Sequence, residues 1–151
     1  MSCSDKKKSN RISVREKTLI SFVLFICGGL IYILFRTESL VMFQWFKAFK
    51  LLDFINYIRQ GIGVCITSDF IRFCLPDGLW LLSYLILMDA VWGNTHNLWS
   101  FFFYAILPFI AICSEILQYF SLLSGTFDLG DIVAYLCSLF LFIIYIHLIY
   151  E

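Results

Sequence analysis

No lysine or arginine occurs after Arg72. All eleven basic residues of the 151-residue chain lie at or before that position. Six acids follow it (Asp77, Asp89, Glu115, Asp128, Asp131 and Glu151), with His96 and His147 as the further possible cations. The formal net charge of zero therefore hides a division. A buried acid in the second half must take its counter-charge from the first half, from a metal or from a ligand, because an unpaired buried carboxylate is costly. Charge of either sign is scarce, at 15% of residues, where an ordinary soluble domain carries about a quarter. Proline occurs only twice.

Recognisable reaction motifs are missing as well. There is no phosphate-binding Walker loop, no H-E-x-x-H, no G-x-S-x-G and no pair of histidines on one helical face. The six cysteines show no C-x-x-C spacing, so the sequence carries no metal-ligand signal and no cofactor is expected. Cys27, Cys113 and Cys137 fall in apolar runs and read as inert core thiols. Cys65 and Cys74 are close enough in one loop to pair in an oxidising compartment.

What is abundant is apolar surface. Hydrophobic residues make up 61% of the chain and aromatic residues 19%, with a mean hydropathy of +0.86. This is the composition of a small integral membrane protein, whose expected partners are membrane lipids and not nucleic acid. Residues 1–17 form a basic tail with Lys6, Lys7, Lys8, Arg11, Arg15 and Lys17 beside the first apolar run, the pattern of a cytoplasmic flank. Residues 18–35 are uncharged and would make about 27 Å of helix, enough to cross the hydrocarbon core. Arg-Thr-Glu-Ser follows in place of a small-residue cleavage site, so the run reads as a retained span.

Between residues 38 and 60, polar Gln44, Lys47, Lys50, Asp53, Asn56 and Gln60 recur every three or four positions among Leu, Ile and Phe. That period predicts an amphipathic helix lying at the outer membrane interface. Further spans are expected at about 73–92, 98–120 and 129–149. The predicted fold is all-α, with four transmembrane helices in a single domain over residues 18–151, an interfacial helix between the first two, and both termini inside.

With the N-terminus inside, Arg36, Asp77, Glu115, Gln118, Asp128 and Asp131 converge on the outer side, and Asp89 alone falls near the inner face. Tyr104, Pro108, Ala111, Glu115 and Gln118 share one helical face, as do Asp131, Tyr135 and Ser138. Such faces turned together would form an outward polar cleft. Capping accounts equally well for Asp128 and Asp131 at a helix start, and for Asp77. Glu115 lies deep in its helix, where capping does not account for it. Arg36 or Arg72 could neutralise one carboxylate.

The stretch S-E-I-L-Q followed by G-T-F-D-L-G-D resembles the VanZ-like family of small bacterial membrane proteins, with Glu115, Gln118, Phe127, Asp128 and Asp131 on the matching positions. Arg36, Leu40, Met42, Phe43 and Trp45, and the run Leu75-Pro76-Asp77-Gly78, resemble elements of a divergent branch. The resemblance covers residues 18–149. Where the family continues span four with Asn and a Gly-rich run, this chain has Ile132 to Ser138 without either. The resemblance implies a bacterial inner-membrane protein with a cell-envelope role, in glycopeptide (teicoplanin-type) resistance or in contact with envelope precursors, and no defined reaction. Two other classes stay open. One is a membrane enzyme or metal-dependent transferase acting on a lipid-linked phosphate or sugar; the other is a structural or assembly subunit of a membrane complex.

Overall fold

The computed structural model describes residues 12–36, 41–62, 68–93, 95 and 97–150. Cys65, His96 and most of the basic tail, on which expectations were placed above, lie outside the described residues. Among those described, every regular element is a helix: α1 (Val14–Phe35), α2 (Val41–Ala48), α3 (Leu52–Ile62), α4 (Asp69–Phe73), α5 (Leu75–Trp92), α6 (Leu98–Tyr119) and α7 (Leu129–Tyr150). Four of them, α1, α5, α6 and α7, are long and apolar enough to cross a membrane.

The starts of these helices follow from local chemistry. Ser13 caps α1: its hydroxyl accepts from the Glu16 N–H at 3.2 Å, and the Glu16 carboxylate accepts from the Ser13 N–H at 2.8 Å. This reciprocal capping box starts the helix four residues before the uncharged run. Asn97 and Ser100 form the equivalent box at α6. Pro76, at the second position of α5, costs no helical hydrogen bond there. The amphipathic stretch predicted over 38–60 is two helices. Lys50 adopts a left-handed φ of 57° and breaks the chain between α2 and α3, and no glycine or proline announces the break.

The centre of the bundle is α5, 44% buried against 11–17% for the other three long helices. It packs most extensively on α1, then on α7, and more loosely on α6. The α1–α5 contact is antiparallel, with paired residues descending one helix as they climb the other. Lys17 meets Asp89, the Ser21 and Ser83 hydroxyls each donate to the other's carbonyl at 2.8 Å, and Trp80 Nε1 donates to the Phe25 carbonyl at 3.2 Å. A Cβ on Gly28 would lie 2.8 Å from Trp80 Nε1, so glycine is what lets the indole seat against α1.

Against α7, α5 runs parallel. Ser138 Oγ donates to the Gly78 carbonyl at 2.7 Å, and a Cβ on Gly78 would sit 3.1 Å from the Ala134 carbonyl oxygen. Close backbone approach through small residues and serine hydroxyls is how helices associate where lipid supplies no hydrophobic drive. The outer faces carry Leu19, Phe22, Phe25, Phe101, Phe109, Phe140 and Ile143, all well exposed, as lipid contact requires.

One polar group is sunk into the end of the bundle where α1 begins, called here the proximal end. Asp89 is 1% exposed, and Lys17 Nζ lies 2.6 Å from its Oδ2. The Tyr145 and Tyr150 hydroxyls donate to Asp89 at 3.2 and 2.9 Å, and Lys17 also donates to the Tyr150 oxygen at 2.8 Å. Both carboxylate oxygens are thus engaged by groups from α1 and α7. Removing one charge of such a pair leaves the other buried and uncompensated, at about 3–5 kcal/mol. Lys17→Met should therefore destabilise the purified protein by that order, measured by thermal unfolding in detergent, and adding Asp89→Leu to Lys17→Met should recover most of the loss.

Candidate functional site

The other polar concentration lies at the distal end, where α5 and α7 begin and α1 and α6 finish. It is built around the start of α7. Asp128 precedes the helix, and its Oδ1 accepts from the Gly130 N–H at 2.7 Å, the bond of an N-cap to the second helical residue. In a complete capping box, the acid at the third helical position would turn back to take the N-cap residue's own N–H. Asp131 holds that position, but the bond is made by another residue: the Asp128 N–H donates to Glu115 Oε2 at 3.2 Å, from α6. Glu115 is 5% exposed, so its place in the apolar bundle is justified by a backbone donor on the neighbouring helix.

Asp131 is released by that substitution. Its Oδ1 is buried and has no hydrogen-bond partner among the described residues. Beside it, the buried thiol of Cys74, at the junction of α4 and α5, donates to Asp128 Oδ2 at 3.8 Å. Ligand-capable atoms of Cys74, Asp128 and Asp131 all lie within 4.8 Å of one another. Gly130 makes this possible, because a Cβ there would sit 2.5 Å from Cys74 Sγ.

Asp77, in the first turn of α5, completes the acidic group. Arg36 Nη2 lies 3.7 Å from its Oδ2, while the guanidinium rests over the rings of Tyr32 and Phe73 at 5.3 and 5.6 Å. Asp77 stands within electrostatic reach of Asp131 and Glu115, and Tyr135 of all three. Four carboxyl groups thus gather at one end of the bundle, with Arg36 in a loose ion pair beside them, Arg59 donating to the Arg36 carbonyl at 2.7 Å and Arg72 over the Phe35 ring at 5.6 Å. The arrangement suits a cation, a group that donates several hydrogen bonds, or an ion held by oxygen and sulfur.

Five of the six residues singled out from the sequence are brought to this end together: Arg36, Asp77, Glu115, Asp128 and Asp131. The sixth, Gln118, lies at the same end but is turned toward the loop before α7. Its amide lies against Gly125 in the turn before α7, where a Cβ would come within 2.7 Å of Gln118 Nε2 and the φ of 142° favours glycine. Cys74 was read only as a candidate disulfide half; it is a free thiol. The signal that could have identified it is its position immediately before the Leu75-Pro76-Asp77 helix start, which sets it at the level of Asp77. Tyr84 donates to the Phe103 carbonyl, joining α5 to α6, and His147 lies on the exposed face of α7.

No protein-family model, no curated protein and no solved structure matches this chain.

Burial, reinforced by Asp131 and Asp128, pushes the Cys74 thiol up to about 12, because a thiolate there would be both desolvated and next to negative charge. Alkylation needs the thiolate, so Cys74 should react slowly with iodoacetamide at pH 8 and accelerate only as the pH climbs toward 12. Asp128→Asn with Asp131→Asn should bring that acceleration to lower pH, read by mass spectrometry of the modified peptide.

Proposed function

We propose that this chain is a VanZ-like protein of the bacterial inner membrane that binds the polar head of an envelope precursor or a glycopeptide in its distal carboxylate cleft. Both termini lie in the cytoplasm, so the cleft opens on the outer side. The basic residues ahead of α1 support that orientation. On the same reading, α2 and α3 lie along the outer interface, with the exposed Trp45, Phe49, Phe54 and Tyr57 at a depth suited to aromatic side chains.

The observation that carries this reading is Asp131. A carboxylate oxygen buried with no partner among the described residues costs stability unless something else uses it, and here it stands in a group of four acids. A ligand presenting an ammonium group or clustered N–H and O–H donors would satisfy it. Glycopeptides and peptide-bearing envelope precursors both offer such groups.

A second reading is favoured by one specific observation, the 4.8 Å grouping of Cys74, Asp128 and Asp131. Thiolate and carboxylate together suit a divalent ion such as zinc, and a membrane enzyme acting on a lipid-linked phosphate or sugar could use one. Binding would require Cys74 to give up the proton its surroundings hold in place.

Glu115→Gln and Asp131→Asn should leave membrane insertion intact and abolish the change in glycopeptide susceptibility seen when the protein is expressed in a deletion strain. Wild-type susceptibility in both variants would reduce the cleft to a structural role. For the second reading, elemental analysis of protein purified without chelator should find about one equivalent of a divalent ion, lost in Asp131→Asn. Absence of the ion, together with chelator-insensitive function, would eliminate that reading.

A further inference from the structure

A groove of about 820 Å³ runs between α5, α6 and α7 at the proximal end, well away from the carboxylate cleft. It exists because α6 packs more loosely than the other long helices. The volume falls within the range of about 300–1,000 Å³ typical of small-molecule sites, and the lining has the usual form of apolar walls with a few polar groups.

Polarity along the groove is ordered. Thr95, Asn97 and Tyr150 line the end beside the turn between α5 and α6 and the end of α7, with buried Asp89 beneath them, whereas Leu85, Pro108 and Leu139 line the other end. From Leu98 to Pro108 the wall descends ten residues, about 15 Å at roughly 1.5 Å per residue. That is half of a hydrocarbon core of about 30 Å, the depth of a single leaflet. A groove one leaflet deep, polar at the interface and apolar at the midplane, has the shape and sense of a lipid chain with its head.

The head is specified by charge. Among the described lining residues there is no Lys or Arg, and the one acid, Asp89, is already neutralised by Lys17 at 2.6 Å. A phosphate would meet a carboxylate, with no cation among the described lining residues to hold it. The Asn97 Nδ2 group can donate, and the Thr95 hydroxyl, whose own proton goes to the Trp92 carbonyl, can accept, so both suit a neutral hydroxyl instead.

We infer that this groove binds one acyl chain of a lipid with an uncharged, hydroxyl-bearing head, of the diacylglycerol class. The chain lies along Ala105 and Leu139, and the head hydroxyl reaches the polar groups beside the turn between α5 and α6. The site is independent of the distal cleft and of whatever that cleft binds.

Native mass spectrometry of the full-length protein released from detergent tests this, with dioleoylglycerol, dioleoylphosphatidylglycerol and hexadecane as separate probes. The expected result is a one-to-one dioleoylglycerol adduct, with binding at least tenfold tighter than for the phospholipid or the alkane. Ala105→Trp, which fills the groove, should weaken dioleoylglycerol binding at least tenfold with an unchanged or raised melting temperature. Leu139→Phe serves as the second variant should Ala105→Trp fail to fold. Unchanged dioleoylglycerol binding in the folded variant overturns the site. Equal binding of the phospholipid or of hexadecane to the wild type overturns the head-group assignment, and absence of any adduct overturns the proposal as a whole.

Discussion

The architecture depends on the buried contact between Lys17 and Asp89. With no Lys or Arg after residue 72, an aspartate inside the second half of the bundle has to be met by a residue from α1, and Lys17 meets it at 2.6 Å. That contact sets α1 antiparallel to α5 in a fixed register, which the Ser21–Ser83 and Phe25–Trp80 contacts then continue. Tyr145 and Tyr150 bind the same carboxylate from α7. One aspartate therefore orders three helices, and a shift of α5 by a single residue would turn it away from all its donors.

A parallel arrangement of α5 and α7 follows, and with it the distal site. Because both helices begin at the same end, Asp77 and Asp131 occupy equivalent first-turn positions side by side, about 18 Å from Asp89 along α5 at about 1.5 Å per residue. The two polar layers differ in character. In the proximal layer every carboxylate oxygen is used; in the distal layer an acid from α6 performs a bond that belongs to Asp131, and Asp131 keeps one oxygen without a partner among the described residues. Closure at one end thus contrasts with unspent hydrogen-bonding capacity at the other.

Much of this was legible in the residues. Hydropathy located the four long helices to within a few positions, because an apolar run of about 20 residues is the length that a hydrocarbon core demands of a helix. The early start of α1 was visible too, in the Ser13-x-x-Glu16 spacing, but charged Arg15, Glu16 and Lys17 masked it; Lys17 is tolerated inside the helix because Asp89 receives it. The confinement of cations to the first half announced that cross-bundle pairing was required, yet which cation meets which acid depends on helix register, and Lys17 and Asp89 are too far apart in sequence for any local pattern to join them. Convergence of Arg36, Asp77, Glu115, Asp128 and Asp131 was readable from alternating helix direction. The role of Cys74 was not, since a lone cysteine beside a helix start has no spacing partner. The break at Lys50 likewise has no turn residue to mark it.

The charged groups also divide according to the helix that carries them. A helix favours acids in its first turn and cations in its last. Asp77 and Asp131 obey that preference on their own helices, and Asp128 does so as the cap. Lys17 near the start of α1, Asp89 near the end of α5 and Glu115 near the end of α6 all oppose it, and each of these three is held by a partner carried on another helix or its cap. Asp128 is held by its own helix through the Gly130 N–H, whereas the opposed groups depend on their neighbours remaining beside them. Since α6 is the most loosely packed of the long helices, any displacement of it withdraws Glu115 alone. The distal cluster would then change from four carboxylates to three and expose the N–H of Asp128, with the remaining acids undisturbed.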